Sequence, residues 1–257
     1  MRTIYFDCSM GVAGDMLMSA LMETSLHPMK FMNKINALGF PGVFVTAEKL
    51  VRCGITGTHI RVLWNGVEEQ DDDICTGEYP SAEGVKKKFG SFTEIEHFLI
   101  SRPLSRNIIK NTLAVLHLIF KAESHVHGIK MKDIHNSSLG TMDAVIDVLG
   151  CCMLIDELNP EQILATPVHA GYGLICCKGS ILPIPAPATE YLLQSIPFYS
   201  GDIQGEFCTP TGAALLKHFV SAYGPIHNLA HMKTGCGFGA KDYGAPGGLR
   251  VYYGDVP

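Results

Sequence analysis

A chain of 257 residues with 47% hydrophobic content can bury a substantial core and stands near the upper size that one core supports. A net charge of -5 offers no attraction to nucleic acid or anionic lipid, which reward basic surfaces, and no apolar run reaches about 18 residues; neither a nucleic-acid partner nor a membrane span is expected. Only 18% of residues are charged while 27 are glycine, a balance that favours buried strands joined by tight loops over a charged helical bundle.

The opening residues 3–6 predict a short buried strand, and the loop 7–15, with Gly11 and Gly14, leads into a helix of Met, Leu and Ala. Pro28 opens a second helix that should stop near Gly39, and residues 43–50 and 58–64 carry the β-branched and aromatic content of a strand pair. Residues 65–90 show opposite charge blocks and no period, which predicts a mobile surface insertion. Helical spacing returns over 93–100 and 104–124, with Gly128 as the stop, and again over 143–158. A strand is expected at 163–169. Residues 183–187 hold three prolines and should form a stiff extended segment before a helix over 188–194. Thr209 and Pro210 begin a further helix expected to end near Tyr223, and strands around Lys233 and Arg250 close the chain. The fold class is therefore mixed α/β, a sheet with helices packed around it, in a single large domain or two closely packed lobes.

The chain reaches Asp7 after three apolar positions, too soon for a signal-peptide hydrophobic region, so a cytoplasmic location is expected. Nine cysteines, an odd count without framework spacing, should then be mostly free thiols.

Several residues could carry chemistry. Gly11, Gly14 and Asp15 lie where a strand meets a helix start, which suits either a phosphate approached by bare backbone N–H groups or an ordinary capped turn; the lysine of a P-loop is lacking. Thr209, Thr211 and Gly212 offer a second such start, with the same two readings. Asp7 ends the first strand, where parallel-type sheets place ligand groups. His125, His127 and His135 fall within eleven positions, and Asp143 and Asp147 follow one helical turn apart on one face; imidazole with carboxylate suits Ni, Zn, Mn or Fe. Against that, histidines at a helix end also complement its dipole. His169, Cys176 and Cys177 form a looser group that buried, inert thiols explain equally well.

Six segments together resemble one family. They are Asp7 with Gly-Val-Ala-Gly-Asp-Met at 11–16, Ala-Glu-Ser-His-Val-His-Gly at 122–128, Gly-Thr-Met-Asp-Ala-Val-Ile-Asp-Val-Leu-Gly at 140–150, Leu-Pro-Ile-Pro-Ala-Pro-Ala-Thr at 182–189, Gly-Glu-Phe-Cys-Thr-Pro-Thr-Gly-Ala-Ala at 205–214, and Gly-Cys-Gly-Phe-Gly-Ala-Lys-Asp at 235–242. In that order and spacing the chain resembles the nickel insertion proteins of the nickel-pincer cofactor, the cofactor of lactate racemase. The resemblance implies a cyclometallase, a lyase of the metal chelatase type, that delivers Ni2+ to pyridinium-3,5-bisthiocarboxylic acid mononucleotide. It also implies that residues 1–257 are an amino-terminal domain acting with a carboxyl-terminal domain that handles CTP and Mn2+ or Mg2+. Implied partners are the pyridinium mononucleotide precursor, that further domain or subunit, the pathway enzymes and lactate racemase, and a homo-oligomer is expected.

Carried onto this sequence, the resemblance implies phosphate seating at Gly11, Gly14 and Asp15 or at Thr209, Thr211 and Gly212. It implies metal handling by His127, His135, Asp143, His169 and Cys177, and proton transfer by Asp143 or Asp7. Two departures bear on this. The chain has His-Asn-Ser-Ser-Leu-Gly at 135–140 where the family usually has His-Phe-His-Glu-Val-Gly, and Cys-Lys-Gly-Ser at 177–180 where it usually has Cys-Ala-His-Gly. The family's histidine-rich tract is replaced by the insertion at 65–90. A non-catalytic nickel- or precursor-binding scaffold, or a degenerate relative, is the alternative that these losses motivate.

Overall fold

A computed structural model describes residues 1–68, 91–131, 134, 142–177, 180–225, 232–245 and 247–256. Strand β1 (Arg2–Asp7) has four consecutive buried residues, as a strand covered on both faces must. Helices α1 (Gly14–Thr24) and α2 (Pro28–Ala37) follow, the second opened by its proline and stopped before Gly39, whose φ of 67° a side chain would resist. Strands β2 (Val43–Arg52) and β3 (Ile55–Trp64) form an antiparallel hairpin in register from Val43 with Trp64 to Arg52 with Ile55. Its turn holds Cys53 and Gly54 at positive φ. A second such turn, Asn65 and Gly66 at φ 50° and 82°, folds β4 (Val67–Glu68) back onto β3. The first residues of the expected insertion are therefore a hairpin, because Asn-Gly is the favoured pair for that turn. Residues 69–90 lie outside the described residues.

Helix α3 (Phe92–Ile100) is capped by Ser91, whose hydroxyl accepts from the Glu94 N–H. Helix α4 (Arg106–His127) is capped by Ser105 and stopped by Gly128 at φ 64°; it starts later than the spacing predicts and keeps both His125 and His127 within its last turn. Helix α5 (Met142–Leu158) is buried all round except at Asp143, Asp156 and Glu157, the pattern of a central helix. The strand expected over 163–169 is two strands, β5 (Gln162–Ala165) and β6 (Val168–His169), in different sheets. The break falls at Thr166 and Pro167: proline has no N–H to give a ladder, and the Thr166 hydroxyl accepts instead from the Cys8 N–H at 2.9 Å.

Strands β7 (Gly171–Cys177) and β8 (Ser180–Ile184) pair antiparallel, and α6 (Pro187–Leu193) follows. Pro183 thus sits inside a strand rather than in a free extended segment; β8 is a sheet edge, where a missing N–H breaks no ladder. Short strands β9 (Phe198–Tyr199) and β10 (Gly205–Glu206) precede α7 (Pro210–Phe219). That helix ends before the expected Tyr223, because Val220 turns extended and β11 (Ala222–Tyr223) joins the main sheet. Strands β12 (Lys233–Gly237) and β13 (Leu249–Asp255) complete the chain.

The main sheet runs β11-β5-β1-β13-β12-β3-β2, with β4 on β3. Parallel β5 and antiparallel β13 flank β1, so the sheet is mixed. Helix α1 lies directly on it. A Cβ at Gly235 or Gly237 of β12 would sit 2.1 Å from the Ala20 carbonyl oxygen or 1.9 Å from that of Met16, so these two positions admit the helix only as glycine. Helix α5 packs on the other side of α1, where Gly150 leaves room for Met18. Helix α4 packs on α5 with its start by the end of α5, where Asn107 donates to Asp156. Helices α6 and α7 flank α4. No helix among the described residues is long and apolar enough to cross a membrane.

Candidate functional site

The loop leaving β1 interlocks with the loop entering α7. Gly11, at φ 90°, takes a turn closed by its own N–H on the Cys8 carbonyl, and a Cβ there would lie 2.2 Å from the Phe207 carbonyl oxygen. The Val12 N–H donates to Phe207 at 2.8 Å and the Thr209 N–H donates to Val12 at 3.1 Å, a short parallel ladder between loops. Gly212 lies against the Val12 carbonyl, 2.3 Å from where its Cβ would be. Gly14 faces Asp147 of α5 and Thr211 of α7, both within 2.8 Å of its absent Cβ. Three helix starts thus converge beyond the carboxyl end of β1, and Gly11, Gly14, Asp15, Thr209, Thr211, Gly212 and Asp143 stand in or beside one contiguous wall.

That wall is acidic at its centre. Asp147 is buried and accepts the backbone N–H of Asp15, yet its Oδ1 has no partner among the described residues. Burial, then the neighbouring charges of Asp143 and Asp15, push its carboxyl well above the ordinary range. Asp15 is raised too, by burial first, although the His59 charge and the backbone N–H groups of Met16 and Ala240 pull the other way. Cys151, with its thiol 3.6 Å from the Gly14 carbonyl, is pushed up by burial and by Asp147. His59 escaped the sequence reading. It is buried, with Nδ1 2.9 Å from the Phe238 carbonyl, Nε2 3.1 Å from Glu68 and Asp15 4.0 Å away. A histidine within an alternating strand gave no signal, and only the packing of α1 on β3 brings it to Asp15.

The N–H groups of the α1 first turn are engaged within the chain: Asp15 donates to Asp147, and Met16 to the Asp15 carboxylate at 2.7 Å. At α7 the Gly212 N–H is held by the Thr209 hydroxyl at 3.2 Å. At both candidate phosphate seats some of the first-turn N–H groups thus have internal acceptors, a side-chain cap at α7 and none at the Ala13 N-cap of α1.

The other candidates are distributed. Asp7 follows Ile4 and Phe6, which face the helices, so by strand alternation its side chain leaves the sheet on the opposite face from Asp143. There it accepts from the Ser9 N–H at 3.1 Å and from the Arg250 guanidinium. His127 is largely exposed in the last turn of α4, 3.1 Å from Glu123. His169 ends β6, buried, with Nε2 2.9 Å from the Ser200 carbonyl and Nδ1 without a partner among the described residues. Cys177 ends β7; a strand rises about 3.3 Å per residue, which puts its backbone roughly 20 Å beyond Gly171. The structure thus separates Cys177 from His169, because β7 starts two residues after His169 and runs its full length before Cys177. His135 lies outside the described residues. Among the described residues no three His, Cys, Asp or Glu side chains stand close enough to hold a metal ion. Cys8, Cys53, Cys151, Cys152, Cys208 and Cys236 are free thiols, whereas Cys176 is disulfide-bonded. A cavity of about 390 Å3 opens at the far end of α5, lined by Asn107, Asp156 and His218, away from the converging helix starts.

Glycine loops, helix starts and carboxylates gathered beyond the carboxyl end of a central strand make this a protein of the mixed α/β class. The nickel insertion protein family matches residues 4–256, and the chain belongs to that family. It is 31% identical over 256 residues to the pyridinium-3,5-bisthiocarboxylic acid mononucleotide nickel insertion protein of Clostridium kluyveri, covering 99% of this chain and 62% of that protein. The proteins of the same name from Desulfitobacterium hafniense strain DCB-2 and Clostridium acetobutylicum are 29% and 31% identical, with 100% and 99% of this chain and 59% and 64% of those proteins covered. The chain therefore spans about six-tenths of the length of these relatives. No solved structure matches it with significance.

Proposed function

We propose that this chain takes part in inserting nickel into pyridinium-3,5-bisthiocarboxylic acid mononucleotide, as the sheet-bearing part of a cyclometallase of the lyase class. The observation that carries the reading is the family match across residues 4–256, with relatives named for that reaction. Nickel is a substrate here. His127, His135 and Asp143 would receive it. Forming the nickel–carbon bond requires the ring proton to leave, and Asp143 or Asp7 would accept it; a carboxylate held in place does this without reorganisation. Gly11, Gly14 and Asp15, or Thr209, Thr211 and Gly212, would line the phosphate at a helix start, where the Asp15, Met16 and Gly212 N–H groups already have internal acceptors. His169 and Cys177 would stand apart from this metal path. CTP and Mn2+ or Mg2+ would be handled by a carboxyl-terminal portion acting with this chain, in the cytoplasm, as a homo-oligomer, upstream of lactate racemase.

The test is to combine the chain with that portion of a relative, CTP, Mn2+, Ni2+ and precursor, and to look for the nickelated mononucleotide by mass. Product that disappears in Asp143→Asn supports the reading; no product from a folded pair refutes it. A second reading, a carrier that binds nickel or precursor without turnover, is motivated by the departures from the family pattern at 135–140 and 177–180. Calorimetry separates them: a carrier binds nickel or precursor alone and yields no product with the partner.

A further inference from the structure

Beside the wall described above lies a stack of four aromatic rings that the proposed reaction does not use. Strands β6 and β9 pair in parallel with His169 opposite Tyr199, and their rings lie 5.3 Å apart at 9°. Behind His169 stands Phe207, 4.4 Å away at 22°, and behind that Tyr243, 4.6 Å away at 31°. The bond from His169 Nε2 to the Ser200 carbonyl fixes the plane of the imidazole. Glycines make the space: a Cβ at Gly201 would come within 2.2 Å of His169 Nε2, and one at Gly171 within 3.0 Å of the Phe207 ring. Both have positive φ, 69° and 84°, so a side chain there would be strained as well as crowded.

The stack ends in the open. Strand β9 is an edge, with no strand beyond it among the described residues, and Tyr199 is 43% exposed although His169 covers one face. Its hydroxyl donates to the Ser9 carbonyl at 3.4 Å, and the Ser9 N–H in turn donates to the Asp7 carboxylate at 3.1 Å. Arg250, half exposed, is bonded to that same Asp7. An open tyrosine face and a guanidinium therefore flank one carboxylate at the carboxyl end of β1.

We infer that the outer face of Tyr199 seats a pyridinium ring as the fifth member of the stack, with Arg250 taking an anionic group of the same mononucleotide. A cationic ring is drawn to a tyrosine face, and guanidinium matches carboxylate or phosphate in a forked geometry. Asp7 then stands beside the ring as its proton acceptor in place of Asp143, and nickel received at Asp143 has to be passed to the Asp7 side of the sheet. The inference rests on the proposed function for its choice of ring.

The probe is nicotinic acid mononucleotide, a pyridinium mononucleotide bearing a carboxylate, titrated calorimetrically into the chain. Tyr199→Leu should weaken binding about tenfold, Tyr199→Phe should change it less than about twofold, and Tyr199→Trp should bind at least as tightly as wild type. Arg250→Met should weaken the probe and also ribose 5-phosphate, which has no ring and should not sense Tyr199→Leu. Circular dichroism checks each variant's fold, and the Phe and Trp variants keep the test open should leucine disturb the edge strand. No saturable binding by wild type, or equal binding by Tyr199→Leu, overturns the inference. Nickelated product with an unchanged KM in Tyr199→Leu sinks the stacking seat and leaves nickel insertion standing. Tyr199-dependent binding without any product does the reverse.

Discussion

Replacing Asp147 by asparagine should stabilise the protein at neutral pH, by an amount that grows with pH. The side chain is buried between Gly14 and Thr211, accepts one backbone N–H and leaves Oδ1 without a partner among the described residues. Burial and the charges of Asp143 and Asp15 hold its proton on to a higher pH than in the unfolded chain, where the ordinary value is 3.8. Above that value the unfolded state has released a proton that the native state keeps, so stability falls as pH rises until the native carboxyl itself ionises. Each pH unit crossed in this way removes about 1.4 kcal/mol. Asparagine keeps the shape and an oxygen for the Asp15 N–H but cannot titrate. Wild type and Asp147→Asn should therefore lie close near pH 4, and the variant should gain up to roughly 3–5 °C in Tm per pH unit above it for a chain of this size. Asp143→Asn removes one of the two charges that raise the group and should shrink the difference. Calorimetric melting between pH 4.5 and 8.5 measures it. A difference that stays flat with pH, or that favours wild type increasingly toward pH 8, refutes the account of a buried neutral acid.

Two further expectations test the packing. Gly237→Ala would drive a methyl group into the Met16 carbonyl and the Ala20 N–H of α1 and should remove more than about 3 kcal/mol in urea unfolding, whereas Gly128→Ala, at positive φ but in open space, should lose about 1 kcal/mol; equal losses would contradict the close approach of α1 to β12. On native protein at pH 8, iodoacetamide should label exposed Cys53 well before Cys8, Cys151, Cys152 and Cys208, whose thiols burial raises, that of Cys152 to about 12. Peptide mass mapping follows this, and labelling of Cys151 at the rate of Cys53 would show that α5 is not the central helix.

Where a local signal was strong, sequence and structure agree. Pro28, Gly39 and Gly128 delimit helices because a fixed φ and a positive φ act within a few residues. The strand pair 43–50 and 58–64 followed from β-branched content. Short strands β4, β6, β9, β10 and β11 were not legible or were mis-bounded, since two residues have no period to detect and their pairing is decided by chain distant in sequence. The site divides the same way. Gly11, Gly14, Thr209 and Thr211 stood out because glycine loops and hydroxyls before a helix are local patterns. His59, Tyr199 and Arg250 did not, because each matters only through a neighbour more than forty residues away along the chain, as His59 meets Asp15, Tyr199 meets Ser9 and Arg250 meets Asp7.

The sequence by itself determined the family, the mixed α/β class and most helix limits, all of which depend on short-range chemistry and on the order of motifs along the chain. Only the tertiary structure decided that three helix starts meet at one buried carboxylate, that Asp7 and Asp143 face opposite sides of the sheet, and that four rings stack toward an open edge. Those relations arise from strand alternation, crossover and the close approach that glycine permits, and none of them exists until distant segments are packed together.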